Sequence, residues 1–399
     1  MEQSFLRCSG VLLLLCLVSC TPALKRPLSS VSPAEATRFA AELRLALVQR
    51  LGGQSSDPGL QAALDQAAAR LLQPPPQIVL VNDASPELMA LPDGTVIISH
   101  GLLATVADAD ALAGLLAHAI GHARQHHPLQ AVLRITSDSP SAKDSPVASW
   151  GAVVSGGVLA AGHNDEEEIA ADAAALKLLA AAGIGPQALL QQLGPDSAPG
   201  RTLTRHPLSA RRLTEAQKMA SSLAVKSVAP VDPLLFIAAR ATLDAQEPGY
   251  QLYRQARLTE KAGSLDRALP LYLQAAGQGA EESLLLTGLG MAYLQQNALV
   301  AARQHLTRAL HVDNNYYYSQ LGLGYIALLQ GDPDRAVSHL QRSLKLLTTV
   351  RTGYLLAEAR VARGEIAAAI ILYRAVIAAD PNGFGRAAQS QLATLEVKP

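Results

Sequence analysis

Leu115-Leu116-Ala117-His118-Ala119-Ile120-Gly121-His122 lies in the second half of a long Ala- and Leu-rich stretch, 107–127, which reads as one helix limited by Pro128. Histidines four apart on a helix point the same way, so His118 and His122 can occupy two corners of a tetrahedral metal site. Gly121 lets another segment approach the helix beside them. Such a pair also arises by accident in an Ala-rich helix, so its surroundings must decide. An acidic stretch follows, Glu168-Ile169-Ala170-Ala171-Asp172. Glu168 is a candidate third ligand, and Asp172, one turn later, can accept the outer ring N–H of a ligand histidine. The competing reading of Glu166, Glu167 and Glu168 is a solvated acidic face.

Apolar residues make up 49% of the chain but aromatics only 4%, which leaves Ala and Leu to do the packing and predicts a mainly helical protein. At 399 residues two domains are expected. Lys plus Arg (33) balance Asp plus Glu (33), so no single-sign field draws nucleic acid, and none is expected as a partner. Residues 11–18 form an apolar run too short to span a bilayer, followed by Ser19-Cys20. This resembles a bacterial lipobox: residues 1–19 as signal peptide, lipid on Cys20, and a Pro- and Ser-containing tether over 20–32. An ordinary secretory signal is the alternative. The three cysteines, Cys8, Cys16 and Cys20, all lie at or before that cut, so no disulfide is expected. No later stretch has the length of a membrane span, which makes the lipid the expected membrane contact.

Residues 33–226 are expected to form a first domain. Helices over 34–51 and 59–72 are ended by Gly52-Gly53 and by Pro74-Pro75-Pro76. The period then changes: 77–81 and 95–99 are short β-branched runs with Asp93-Gly94 between them, and read as two strands. A loop over 137–145, a packed helix or hairpin over 147–162, and a helix over 166–182 closed by Gly183 follow, with Pro186 opening the next helix. Residues 227–247 read as a connector. From 248 to 383 a period near 34 recurs: Ala268, Ala302, Ala336 and Ala369, each followed four residues later by Tyr272, Leu306, Leu340 and Tyr373. Small and bulky residues alternating in this way fit tetratricopeptide repeats, and 384–399 would cap them. Unrelated helical hairpins of similar length are the alternative.

With these elements in place, the chain resembles the zinc peptidases related to the CAAX prenyl protease and HtpX, and among them the envelope lipoproteins of the BepA type. The resemblance rests on the run Leu91-Pro92-Asp93-Gly94-Thr95-Val96-Ile97-Ile98-Ser99-His100-Gly101-Leu102-Leu103, the histidine helix, Glu168 to Asp172, and His206-Pro207 with Arg212. It implies an α+β, mainly α, zincin-like domain with a small sheet, followed by an α-solenoid of tetratricopeptide repeats. It implies one zinc ion held by His118, His122 and Glu168. Asp172, His206 and Arg212 would support or gate that site. The strand Thr95, Val96, Ile97, Ile98 and Ser99 would be an edge that receives substrate backbone. The lipid-anchored protein would face the periplasm, at the outer membrane, where unfolded or extended envelope proteins and a repeat-bound protein are the implied partners.

The departure lies at the chemistry. In an HExxH site the glutamate takes a proton from the attacking water and later gives one to the leaving amine. Ala119 occupies that position and has no such group; loss of a placed base costs about 10²–10⁴ in rate. Glu166, Glu167, His126 and His127 are the nearby groups that would have to replace it. The leading expectation is a catalytically impaired relative that keeps zinc and binds extended segments. An active zinc metalloendopeptidase using another base, and a repeat scaffold without metal, are the alternatives.

Overall fold

The computed structural model describes residues 26–138, 145–193, 206–227, 233–278 and 281–396; Cys20 and the signal before it lie outside them. The amino-terminal part runs α1 (Pro33–Arg50), α2 (Pro58–Leu71), β1 (Ile78–Val81), β2 (Leu88–Ala90), β3 (Val96–Ser99), α3 (His100–Leu103), α4 (Ala109–Arg124), α5 (His127–Asp138), α6 (Trp150–Ala160), α7 (Asp165–Ala181), α8 (Gln187–Leu193) and α9 (Ala210–Ser222). Both α1 and α2 open on a proline, with Ser32 and Asp57 accepting the first free backbone N–H groups.

The sheet departs from the sequence reading in two ways. It has three strands in the order β1-β3-β2, with β1 parallel and β2 antiparallel to β3. The Pro92-Asp93-Gly94 turn joins β2 to β3, where Gly94 takes a φ of 89° and Asp93 accepts the N–H of Thr95. Leu88-Met89-Ala90 was not legible as a strand because it has three residues and no β-branching. Consequently 95–99 is not an edge: β3 is paired on both sides, and β2 is the edge strand on that side.

Helix α4 is buried on nearly every face, from Ala111 to His122. It lies so close to its neighbours that a Cβ on Gly121 would fall 2.4 Å from the Ala171 carbonyl oxygen of α7, and one on Gly114 would fall 2.1 Å from that of Ala188 in α8. Leu116, Ala117, Leu176 and Leu179 close the seam without solvent contact, and each buried leucine contributes about 1.5–3 kcal/mol. The helix does not continue to His127. It stops at Arg124, His126 adopts a φ of 58°, and Pro128 sits in the first turn of α5. Pro128 therefore starts a helix where it was expected to stop one.

The second part comprises α10 (Leu234–Lys261), α11 (Leu265–Ala276), α12 (Ser283–Gln295), α13 (Leu299–Val312), α14 (Tyr317–Leu329), α15 (Pro333–Leu346), α16 (Val350–Ala362), α17 (Ile366–Ala379) and α18 (Phe384–Glu396). The period-34 residues do what their sizes predict. Ala268, Ala302, Ala336 and Ala369 are fully buried, and Tyr272, Leu306, Leu340 and Tyr373 fill the space beside them. A Cβ on Gly290 would meet Leu306 at 2.7 Å, and one on Gly324 would meet Leu340 at 2.6 Å, so these glycines set the spacing within each helix pair. Most of the expected connector is helical. Residues 234–247 form the first half of α10, whose Phe236, Ala239 and Leu243 join the apolar core of the amino-terminal part. Helix α10 passes through Pro248 without ending, where the ring is exposed and water can take the carbonyl left unpaired. Further bonds join the two parts, among them Gln49 to Asn315 and Tyr317 and Arg254 to the Ala84 carbonyl. Among the described residues no helix is long and apolar enough to cross a membrane.

Candidate metal centre

His118 and His122 project from α4 toward Glu168 in the first turn of α7, and His206, just before α9, closes the group. All four side chains are buried, Glu168 completely. Glu166, by contrast, is exposed and pairs with Arg211. The acidic run thus splits, and only its first part is a solvated face. His118 Nε2 lies 3.1 Å from His122 Nε2 and 3.1 Å from His206 Nδ1. Glu168 lies 2.9 Å from His206 Nδ1, 3.3 Å from His122 Nε2 and 3.5 Å from His118 Nε2.

The partners on the far side of each ring fix what faces inward. His118 Nδ1–H donates to Asp172 Oδ1 at 2.8 Å, and His206 Nε2–H donates to the Leu88 carbonyl at 3.1 Å. His122 Nδ1 is 2.9 Å from His127 Nδ1, an arrangement that is satisfied when His122 donates. Three ring lone pairs and a carboxylate then converge on one small space. Without a cation they would repel one another. Glu168 Oε2 is ion-paired with Arg212 Nη1 at 2.7 Å without hydrogen-bond geometry, which fixes the carboxylate beside that space. Donors about 2.0–2.1 Å from a tetrahedral zinc sit roughly 3.3–3.4 Å apart, close to the separations seen here. The residues fit a metal ion.

Electrostatics favour the same protonation states. Burial pushes His122 well down and lowers His206, which keeps both rings neutral, as ligands must be. Burial alone would raise Glu168; when no cation is bound, the inner nitrogens of His122 and His206 can carry protons and donate to it, which outweighs burial and holds the carboxylate ionised. Asp172 is likewise lowered, its burial overcome by His118 and by Arg212, whose Nε donates to Oδ2 at 2.6 Å. Arg212 is fixed in turn by the Pro207 carbonyl.

Residues 54–220 match the family model of Peptidase family M48. This stretch is similar to the M48 peptidases and is called the M48-like domain below. No curated protein sequence matches the chain. Among solved structures the chain is similar to MamA protein, at 15% identity and a TM-score of 0.30, covering 36% of this chain and 79% of that one. It is similar also to the APC/C hetero-tetramer Cut9-Hcn1, at 17% identity and a TM-score of 0.36, covering 72% of this chain and 56% of that one.

Within the M48-like domain the sequence-predicted residues assemble. His118, His122, Glu168, Asp172, His206 and Arg212 form one buried network. Ala119, at the base position, belongs to the apolar core. Each of the candidate substitutes is exposed or engaged by another side chain. His126 and Glu166 are exposed, His127 is engaged by His122, and Glu167 is held by Arg134 and His163. Two contributors were missed. His127 reaches His122 only because the chain turns at His126. His163 packs its ring 4.0 Å from that of His122 and bonds Glu167 Oε2 at 3.0 Å. The only sequence signal for His163 is its i,i+4 spacing to Glu167. Strand β2 runs past this group, and Leu88, Met89 and Ala90 line a small cavity with Val158, His163 and His206.

Proposed function

We propose that the M48-like domain is a zinc-holding, catalytically impaired peptidase fold that binds extended segments of envelope proteins. The observation that carries this reading is the pairing of four convergent buried donors with an alanine at the base position. His118, His122, Glu168 and His206 would hold one zinc ion. When bound, zinc supplies Lewis acidity toward a carbonyl. The remaining work falls to this chain's own side chains, and Ala119 cannot accept a proton at any atom. Four protein donors also complete a tetrahedral set, the arrangement of sites that hold structure together, whereas catalytic sites keep a corner open.

The edge of β2 supports the binding half of the reading. An extended peptide adds to a free strand edge through backbone hydrogen bonds. At β2 His206 already occupies the Leu88 carbonyl, so a segment that pairs there competes with the same side chain that completes the donor set. Binding of a segment and the fourth position are thereby linked. A lipid on Cys20 would hold the protein on the periplasmic side of the outer membrane, and the repeats would recruit a protein partner. Support for this location is the lipobox-like Ser19-Cys20 and the tether after it.

Metal content after exhaustive dialysis tests the reading. One zinc per chain is expected in the wild type, under a tenth of that in His118→Ala, and a weakened but measurable site in His206→Ala. Wild-type protein that takes up no zinc would refute it.

A further inference from the structure

Residues 145–149, just before α6, pack against the repeats. Val147 is 1% exposed, yet the apolar cluster it joins is otherwise built from the repeats, among them Leu340, Leu355, Tyr373 and Val376 of α15 to α17. It seats in a notch that exists because residue 353 is glycine: a Cβ there would lie 2.1 Å from Val147 Cγ1. Ser149 anchors the same segment, its N–H donating to Thr348 Oγ1 at 2.9 Å and its hydroxyl lying 2.7 Å from that oxygen. Ser145 and Ala148 bridge across the turn that presents the valine. Beside the notch an apolar groove of about 630 Å³ continues between α1 and the repeats, lined by Leu45, Leu344, Leu347, Leu356 and Leu372, with Arg360 among the polar groups. Leu45 is 67% exposed in that groove.

These are the features of a short peptide held by a receptor: one β-branched side chain in a shaped pocket, a hydroxyl and a backbone N–H on one anchor, and unfilled apolar surface alongside. We propose that residues 145–149 are a ligand supplied in cis, occupying the notch at Gly353 in which the repeats receive a partner segment that presents a small β-branched aliphatic residue on a tight turn. Because the segment is tethered, its local concentration is set by the chain and a partner must compete with it. The repeats are thus self-blocked until a better-fitting segment displaces Val147. The inference concerns the repeats alone and holds whether or not the M48-like domain binds zinc.

The test uses a fluorescein-labelled peptide of residues 145–150, Ser-Pro-Val-Ala-Ser-Trp, added to the full chain and followed by anisotropy with and without a chelator. Val147→Asp empties the notch, and Val147→Gly does so more gently if the first variant fails to fold. The peptide is expected to bind an opened variant at least tenfold more tightly than the wild type, and Gly353→Val added to that variant should abolish binding. Failure of a folded opened variant to bind the peptide would overturn the proposal, as would equal binding to the wild type or binding that survives Gly353→Val. An unchanged result in chelator keeps this test separate from that of the metal centre.

Discussion

At the scale of single residues, Asp172 ties the site to the fold. It accepts from His118 and from Arg212 and is itself buried, so its removal leaves a buried guanidinium short of its counter-charge and a histidine without orientation. Asp172→Ala should cost about 3–5 kcal/mol of stability in chelator and weaken zinc binding about 10–100-fold, read by urea denaturation and by competition with a chelating dye. Because the native environment lowers this carboxyl below its ordinary 3.8, its contribution is present above that pH and is lost as the pH falls toward the native value. The variant should lose that part of the wild type's acid sensitivity. The candidate donors were legible because a metal site calls for specific residue types at helical spacing. His127 and His163 were not, since their roles depend on a turn at His126 and on ring packing between segments, neither of which local pattern encodes.

At the scale of elements, the α4–α7 contact sets the donor geometry. Gly121 permits it, and a methyl there would collide with the Ala171 carbonyl at 2.4 Å. Gly121→Ala should separate the helices by a few tenths of an ångström or more, cost about 1–3 kcal/mol by overpacking, and lower zinc affinity without touching a ligand. Thermal melts of the zinc-free protein and a zinc titration read the two effects apart; unchanged affinity would show that α7 is positioned some other way. The helices were readable from caps, prolines and glycines. Strand order was not: β2 is too short to signal itself, and its insertion beside β3 moves the edge from 95–99 to Leu88–Ala90. The expected connector failed for a related reason, since the apolar residues that make α10 a packed helix find their partners in a distant part of the chain.

At the scale of the whole molecule, the seam between the M48-like domain and the repeats contains a half-buried acid. Glu282, preceding α12, accepts from Gln246 of α10 at 3.0 Å and lies 3.5 Å from the hydroxyl of Tyr250, whose ring stacks on His100. Burial, with the charge of Asp57, raises it to about 7. The native state therefore holds this proton more tightly than the unfolded chain, and the resulting stability falls as the pH rises from about 4.5 through 7. Glu282→Gln should change little at pH 5 and stabilise by roughly 2–3 kcal/mol at pH 8, seen as a pH-dependent difference in melting temperature. Equal effects at both pH values would show that the acid is ionised in the native state. The repeat architecture was legible from its period, but the docking of the two parts was not, because Gln49, Val147 and Arg254 gave no local sign of reaching across.

In the proposed function the metal donors are intact and the proton transfer is missing. Hydrolysis of an unfolded protein by the zinc-loaded full chain tests it most directly, with His118→Ala as the metal-site control and Ala119→Glu as the restored base. Wild-type turnover should be no higher than that of His118→Ala, with a gain in Ala119→Glu. Wild-type turnover that disappears in His118→Ala would contradict it.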